Sequence, residues 1–240
     1  PPPRPPFFFS RRRRHTRYVA SRGLGDVYKR QRPEIIRLSR IFELLDNNFD
    51  HVMVNTSQNF THELNRVFFD EMKIRKPDYD MKVNTKEYAK EVADVIINAE
   101  KLLKKEKPDI LLILGDTNSG LSAIPAAYQG IKIAHLEAGM RSYDPRMPEE
   151  KNRVMIDHLS TVLLPYTQYS RENLIRENIH PSKIYVVGNP IIEVVQHYLP
   201  KIEKSRILES LKLKKNDYFL VTAHRSENVD NKASLKNFFL

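Results

Sequence analysis

Three acidic residues lie where an α/β protein places catalytic groups. Asp116 follows an apolar run at residues 109–114, which is typical of a parallel strand buried on both faces. Glu137 follows the next apolar run, at residues 131–136, and Glu149 lies in the first turn of a predicted helix. Because carboxylates at the carboxyl ends of parallel strands face a shared crevice, we expect Asp116 and Glu137 to lie close together. Carboxylates crowded in one cleft raise one another's proton affinity, which allows one to act as an acid while another acts as a base.

Simpler structural interpretations compete with this one. Glu149 complements the positive end of the helix dipole, and it shares a helix face with Asn152 and Arg153 by its spacing of three and four residues. Taken alone, that pattern is more typical of a local ion pair than of a site. His135 lies within a predicted strand and His158 in the middle of a helix, so we interpret both as structural.

Composition excludes several classes of protein. The 240 residues contain no cysteine, which excludes a disulfide framework, a thiol nucleophile and a cysteine-bound metal. No apolar run approaches the roughly 20 residues that a membrane-spanning helix needs. The net charge of +10 suggests a nucleic-acid partner, but residues 1–31 contain nine Lys or Arg and one Asp, which leaves a net charge of only +2 for the rest. The basic character therefore belongs to the leader.

The leader, residues 1–31, shows no helical or strand periodicity and no apolar stretch after its arginines, so it does not fit a secretory signal. The run Arg11 to Arg14 has an alternative interpretation as a nucleic-acid-binding or nuclear-localisation arm. We interpret the leader as a non-native or disordered segment, similar to translated adapter or vector sequence joined to a partial reading frame. The fold is expected to begin near Arg32.

From that point strands alternate with helices, which predicts a mostly parallel, doubly wound sheet. The predicted strands cover residues 51–55, 109–114, 131–136, 161–164, 184–187 and 218–222, with a loop at 78–83. The predicted helices cover residues 33–47, 59–72, 86–105, 119–129, 170–178, 191–198 and 201–213, with a further helix beginning near Pro148. A break at Gly188-Asn189-Pro190 divides a first domain, 32–187, whose first strand is missing, from the start of a second domain, 188–240.

Three motifs in order carry a family resemblance. The segment HLEAGMRSYDPRMPEEKNRVMIDHLS, preceded by Gly-Asp-Thr at 115–117 and followed by TAHRSEN at 222–228, resembles the non-hydrolysing UDP-N-acetylglucosamine 2-epimerases. The resemblance runs from residue 32 to residue 240. It implies an α/β fold with two Rossmann-like, doubly wound parallel-sheet domains in a GT-B arrangement, here with the second domain truncated. The sugar nucleotide is then expected in the cleft between the domains.

The resemblance also implies an activity, the reversible interconversion of UDP-N-acetylglucosamine and UDP-N-acetylmannosamine for surface polysaccharide synthesis. The hydrogen at carbon 2 is not acidic in the intact sugar, so the family eliminates UDP to give a bound glycal and then adds UDP back. No cofactor is implied. The expected partner is a UDP-sugar, without nucleic acid or membrane insertion, and the intact protein is expected to be a cytoplasmic homodimer.

Site residues follow from the motifs residue by residue. The positions that match the family's catalytic residues are Asp116, Glu137, Glu149 and His224. The expected substrate-binding residues are Arg32, Arg37, Arg141, Arg225, Glu227 and Asn228. Arg37 occupies a position where the family commonly has lysine, which keeps the charge but alters the geometry offered to a phosphate. Any one of the arginines could instead pair with a carboxylate or lie at the surface.

Other functions remain open from the sequence. A hydrolysing relative would release UDP and free N-acetylmannosamine from the same glycal, and a GT-B glycosyltransferase would share the fold alone. The hypothesis of a basic nucleic-acid-binding protein depends entirely on the leader. The polypeptide as written could also be an inactive fragment. No spacing typical of metal ligands is present.

Overall fold

The computed structural model describes residues 17–22, 31–56, 68–83 and 87–221, and for 17–22 and 31–33 it describes the backbone alone. The strands are β1 (Arg17–Arg22), β2 (Asp50–Asn55), β3 (Tyr79–Asp80), β4 (Ile110–Leu114), β5 (Lys132–Leu136) and β6 (Val162–Leu164). The α-helices are α1 (Gln31–Asn48), α2 (Tyr88–Glu106), α3 (Ala123–Tyr128), α4 (Pro148–Leu159), α5 (Gln168–Arg176), α6 (Ile191–Glu203) and α7 (Ile207–Ser210). Short 3₁₀ turns cover Asn118–Ser122 and Pro181–Lys183, and residues 68–71 are also helical.

The six strands form one parallel sheet in the order β3-β2-β1-β4-β5-β6. The direction in which strands are added reverses between β1 and β4. In open sheets of this kind, ligands bind beyond the carboxyl ends of the strands at such a reversal. The predicted doubly wound parallel sheet is therefore confirmed for this part of the chain, and its expected binding edge lies beyond β1, β4 and β5.

Strand β1 corrects the prediction that the first domain lacks its opening strand. Arg17–Arg22 pairs with β2 on one side and with β4 on the other, at the centre of the sheet. Without it, the facing backbone groups of β2 and β4 would lose their hydrogen-bond partners. The strand was missed because its apolar centre, Tyr18-Val19-Ala20, is short and is flanked by arginine and serine. Gln31 begins α1, and the remaining residues of the predicted leader lie outside the described residues.

Apolar side chains cover both faces of the sheet. On one face, α1 packs through Leu38, Phe42 and Leu45 against Met53, Leu114 and Leu136. On the other, α2, α3 and α4 pack against the sheet, and the buried cluster consists of Val52, Val54, Leu102, Leu103, Leu111, Ile113, Ala123, Ala126, Ile133 and Ile156. Each fully buried large side chain contributes about 1.5–3 kcal/mol to stability. The alternation within β2 and β4 explains how one strand serves both layers.

The chain divides into two compact units, Pro1–Val194 and Val195–Leu240. The boundary falls inside α6 and not at the predicted break, because Val194 is still buried in the first unit, at 3% exposed, whereas Val195 is 47% exposed. Gly188 has φ +79°, and Pro190 lies in a turn directly before α6. The predicted domain break lies at these residues, but the first unit continues past them.

Four predicted elements differ from the structure. The predicted strand at 184–187 is reduced to a single bridge between Ile184 and Leu163. Residues 218–221 form no strand, and Phe219 is 98% exposed, since the described part of the second unit offers no strand to pair with. The predicted loop at 78–83 contains the short strand β3. Pro200 lies inside α6, where a break between two helices was predicted.

Substitution of two glycines by alanine tests how closely the backbone after β5 packs against α5. Gly139 and Gly130 both have positive φ, +75° and +71°, but a Cβ on Gly139 would overlap the carbonyl oxygen of Ser170 and lie 2.8 Å from Leu174 Cγ. Nothing lies within 4 Å of a Cβ on Gly130. We expect Gly130→Ala to cost about 1–2 kcal/mol from the left-handed backbone alone. Gly139→Ala should cost a further 1–3 kcal/mol, roughly, from overpacking. Urea denaturation measures both, and equal losses would contradict the packing argument.

Candidate active site

The ends of β4 and β5 bring two predicted acids to the same edge of the sheet. Leu114 is paired with Leu136, and the N–H of Gly115 donates to the carbonyl of Leu136 at 3.1 Å. Asp116 and Glu137 therefore each follow these paired strand ends within two residues. A Cβ on Gly115 would lie 3.4 Å from Glu34 Oε1 and 4.0 Å from Glu137 Oε1. The absence of a side chain at Gly115, whose φ is +80°, leaves the space that these carboxylates occupy.

Glu137 is held in an uncommon backbone conformation, with φ +75°. Its N–H donates to the carbonyl of Leu164 at 3.1 Å, which ties it to the end of β6. A non-glycine residue in such a conformation costs about 1–3 kcal/mol, and these residues cluster at functional sites. Oε2 of Glu137 forms an ion pair with Nη1 of Arg37 from α1, with 14% and 19% of the two side chains exposed. Two predicted site residues, Glu137 and Arg37, thus contact one another directly.

Asp116 is held by the first turns of α4. Its carboxylate forms an ion pair with Nη2 of Arg153, and its backbone carbonyl accepts a hydrogen bond from Asn152 Nδ2 at 3.0 Å. The predicted helix face that carries Glu149, Asn152 and Arg153 is therefore the face that meets Asp116. Glu149 itself is 6% exposed, and it lies one turn before Asn152. Arg153 makes a local ion pair with Glu150 and also holds Asp116, while the two sequence interpretations of Glu149 stay predictions.

Glu150 anchors the loop that leads into α4. Its carboxylate accepts hydrogen bonds of 3.0 Å from the N–H of Ser142, the hydroxyl of Ser142 and the N–H of Tyr143, and it pairs with Arg153 at 2.9 Å. Burial opposes ionisation of Glu150, but these hydrogen bonds and Arg153 outweigh it and lower its pKa. Glu150 thus links the loop after β5 to the arginine that binds Asp116.

A buried ion-pair network fixes the two strand ends from behind. His135 contacts Asp157 Oδ1 through Nδ1 at 2.7 Å and the carbonyl oxygen of Gly115 through Nε2 at 2.9 Å. His135 is fully buried. Asp157 Oδ2 accepts a hydrogen bond from the N–H of Gly139 at 3.1 Å. One carboxylate on α4 therefore holds backbone on both sides of the site residues Asp116 and Glu137. The structural interpretation of His135 is confirmed.

Arg141 belongs to this network, which differs from its predicted role as a substrate contact. Its Nη2 lies 2.8 Å from Asp157 Oδ2, its Nε donates to Glu177 Oε1 at 2.7 Å, and only 1% of the side chain is exposed. Burial alone would lower the pKa of Arg141, but Glu177 and Asp157 outweigh burial and raise it. The alternative of carboxylate pairing describes Arg141, because its guanidinium is already enclosed by two carboxylates. His158 lies 3.6 Å from the same Glu177.

A second polar chain, missed from the sequence, lies behind Asp116. Asn152 Nδ2 donates to Asn118 Oδ1 at 2.9 Å, and Asn118 Nδ2 donates to Glu91 Oε1 at 2.9 Å. All three side chains are buried. Glu91 lies in a helix that is rich in lysine and glutamate. The sequence therefore gives no sign that Glu91 is buried while charged residues near it are exposed. The chain connects α2 to α4 and so supports the backbone that carries Asp116.

The remaining predicted site residues are outside what the structure describes. His224, Arg225, Glu227 and Asn228 lie beyond residue 221, and Arg32 is placed by its backbone alone, in the first turn of α1. Within the described ranges, no group of three His, Asp or Glu side chains is arranged to hold a metal ion. None of the described helices is both long and apolar enough to cross a membrane.

Asp157→Asn tests the buried network. At pH 7 it should lower the free energy of unfolding by about 3–5 kcal/mol, since it removes one of the two carboxylates that enclose the buried guanidinium of Arg141. Burial raises the pKa of Asp157, but His135 and Arg141 outweigh burial and lower it from its ordinary value of 3.8. The stabilisation is therefore present above pH 3.8 and is lost as the pH falls through the lower folded-state pKa. Urea denaturation at several pH values should show the gap between variant and wild type closing only in acid.

The control is Glu100→Gln, which removes an exposed i,i+4 pair with Lys104. It should cost at most about 0.5 kcal/mol. A loss for Asp157→Asn no larger than the control's would contradict the role given to Asp157.

Known proteins resemble this chain in sequence and in fold. The family described as UDP-N-acetylglucosamine 2-epimerase matches residues 43–240. A relative of that name from Methanocaldococcus jannaschii is 41% identical over 211 residues, which cover 86% of this chain and 58% of the relative. The solved structure of UDP-N-acetylglucosamine 2-epimerase from Rickettsia bellii superposes with a TM-score of 0.80 and 39% identity, covering 93% of this chain and 60% of that one.

A second solved structure, Methanocaldococcus jannaschii UDP-GlcNAc 2-epimerase in complex with UDP-GlcNAc and UDP, has a TM-score of 0.80 and 37% identity, covering 94% of this chain and 60% of that one. The chain thus spans about three fifths of the length of these relatives. The neighbours are GT-B-like α/β proteins, which confirms the predicted fold class. On its matched segment and its fold, the chain belongs to the UDP-N-acetylglucosamine 2-epimerase family.

Proposed function

We propose that this chain carries the acidic half of the active site of an enzyme that reversibly converts UDP-N-acetylglucosamine to UDP-N-acetylmannosamine. One observation carries the proposal. Asp116 and Glu137 follow adjacent parallel strands at the reversal point of the sheet, and each is held by an arginine from a different helix. Membership of the epimerase family and a neighbour solved with UDP-GlcNAc and UDP support the choice of substrate.

The proposed reaction is an elimination followed by a re-addition. A carboxylate takes the proton from carbon 2, the electrons of that C–H bond form the double bond between carbons 1 and 2, and the bond from carbon 1 to the diphosphate breaks. UDP leaves with the electron pair, and the glycal stays bound. Re-addition of UDP, with a proton delivered to the opposite face of carbon 2, gives the epimer. Each step needs a base and an acid on defined sides of carbon 2. Asp116, Glu137 and Glu149 are proposed together as the acids that supply these groups.

Arg37 is proposed to exchange one anion for another during this cycle. Without ligand, it forms an ion pair with Glu137, which ties up a carboxylate that the reaction needs. A diphosphate carries more negative charge than a carboxylate and suits the guanidinium fork. Substrate binding would then draw Arg37 to the departing diphosphate and free Glu137. Motif matching supports the further substrate contacts Arg32, Arg225, Glu227 and Asn228, and a catalytic role for His224.

The hydrolysing alternative predicts different products from the same intermediate. With UDP-N-acetylglucosamine as substrate, the proposed reaction reaches an equilibrium of two UDP-sugars. Accumulation of free N-acetylmannosamine in proportion to UDP would instead assign the hydrolysing reaction. High-performance liquid chromatography of the reaction mixture separates these outcomes.

The family resemblance supports three wider proposals about the intact protein. Its product would supply surface polysaccharide synthesis, it would act in the cytoplasm, and it would assemble as a homodimer. Light scattering coupled to size-exclusion chromatography tests the assembly, and a mass of one subunit would contradict it.

Isosteric variants test the acids. Asp116→Asn, Glu137→Gln and Glu149→Gln should each lower kcat by about 10²–10⁴-fold, because each removes a proton donor or acceptor while keeping its shape. Incorporation of deuterium from D₂O at carbon 2 reports the proton removal separately from the complete turnover. Glu172→Gln, at an exposed side chain on α5, serves as the control and should leave kcat unchanged. Wild-type rates in all three variants would overturn the assignment.

Two arginines one turn apart on α1 test the role of Arg37. Arg37→Gln should lower kcat/KM about tenfold or more, since it removes the positive charge that would hold the diphosphate. Arg40 pairs with Glu43 on the same helix. Arg40→Gln should change kcat/KM by less than about twofold, because surface ion pairs contribute little. Equal effects of the two substitutions would contradict the proposed role.

A further inference from the structure

Tyr166 lies at the end of a third consecutive strand. It follows β6 by two residues, as Asp116 follows β4, and Glu137 is tied to the same strand end through the carbonyl of Leu164. Its ring packs against the cluster that includes Leu38 and Leu136, below the site. Tyr166 belongs to none of the three motifs, but like Asp116 and Glu137 it is a residue with a polar group just beyond a parallel strand.

The hydroxyl group of Tyr166 is buried but has no hydrogen-bond partner within the described residues. Buried polar groups in native proteins are nearly always satisfied, so such a group requires an explanation. Nε of Arg37 is likewise buried without a hydrogen-bond partner there. The ring of Tyr166 packs against the cluster that contains Leu38 and Leu136, which are the chain neighbours of the paired residues Arg37 and Glu137. Arg37 and Glu34 also act electrostatically on the phenol. Two unsatisfied donors therefore occur together next to a site acid.

The protonation state of Tyr166 decides what it can do. Burial raises its pKa to about 12, with Arg37 acting to lower the pKa and Glu34 to raise it. At neutral pH the phenol is fully protonated. It can donate a hydrogen bond, but it has no phenolate with which to abstract a proton. The hydroxyl hydrogen therefore needs an acceptor, and the positive charge of Arg37 favours an anionic one.

We propose that Tyr166 is a substrate-binding residue, whose hydroxyl donates a hydrogen bond to a phosphate oxygen of the bound nucleotide diphosphate, beside Arg37. The proposal rests on the proposed function and extends it to a residue outside the motifs. Departure of Arg37 from Glu137 toward the diphosphate exposes both unsatisfied donors to the same anion. The ligand would then accept hydrogen bonds from two donors that have no partner within the described residues of the unliganded chain. These new hydrogen bonds would contribute to the affinity.

Tyr166→Phe isolates the hydroxyl, since it keeps the ring and its packing. Binding is measured by isothermal titration calorimetry with UDP, UDP-N-acetylglucosamine and uridine. Affinity for UDP and for UDP-N-acetylglucosamine should fall about tenfold or more, as expected for the loss of a hydrogen bond to a charged acceptor. Affinity for uridine should not change. The melting temperature without ligand should stay the same or rise, because the variant no longer buries an unsatisfied hydroxyl.

Tyr185→Phe is the matched control, since its hydroxyl donates to the carbonyl of Ser182 at 2.8 Å on the surface. It should bind all three ligands as the wild type does. A double variant, Arg37→Gln with Tyr166→Phe, should lose less UDP affinity than the product of the single losses, because both residues would bind one anion.

The outcomes separate the two proposals. Unchanged UDP affinity in Tyr166→Phe, with a wild type that binds UDP, would overturn the role of Tyr166 alone. An equal loss for uridine would also overturn it, since the defect would then be general. A folded wild type that binds neither UDP nor UDP-N-acetylglucosamine would overturn the proposed function, and this inference with it.

Discussion

The parallel pairing of β4 with β5 is the constraint on which the rest of the site depends. It sets Leu114 opposite Leu136, so the residues that follow these strands emerge side by side at one edge. His135 and Asp157 then fix that edge by holding Gly115 and Gly139 through backbone groups. Because these contacts are buried and ionic, they tolerate little displacement. The chain thus provides a rigid base for side chains that must be placed accurately for chemistry.

Charge balance is the second organising principle. Asp116 and Glu137 are partnered by Arg153 and Arg37, where the sequence alone suggested a group of mutually repelling acids. The two pairs differ in their supports. Arg153 is also paired with Glu150, whereas Arg37 pairs with Glu137 alone within the described residues. Arg153 therefore behaves as part of the framework, and Arg37 is the cation better placed to respond to an incoming anion.

Local patterns predicted the positions of the three acids well, because a strand end and a helix start are encoded by nearby residues. Contacts between distant segments were harder to predict. The role of Arg141 depends on Glu177, which is 36 residues away, and no spacing rule connects the two. Strand β1 was missed because its place between β2 and β4 comes from long-range pairing and not from its own composition. Tyr166 was missed because an aromatic residue after a strand is usually read as packing.

The left-handed backbone at Glu137 has a consequence for which residues that position can accept. Glycine, asparagine and aspartate adopt such a conformation more readily than glutamate does. A chain selected for stability alone would therefore drift toward one of these residues here. Glutamate at this position lowers the stability of the fold but places a carboxylate at a defined distance from the backbone. Such losses of stability are common at sites where activity and stability conflict. Under the proposed function, replacement of Glu137 by one of these residues would keep the fold and lose the reaction.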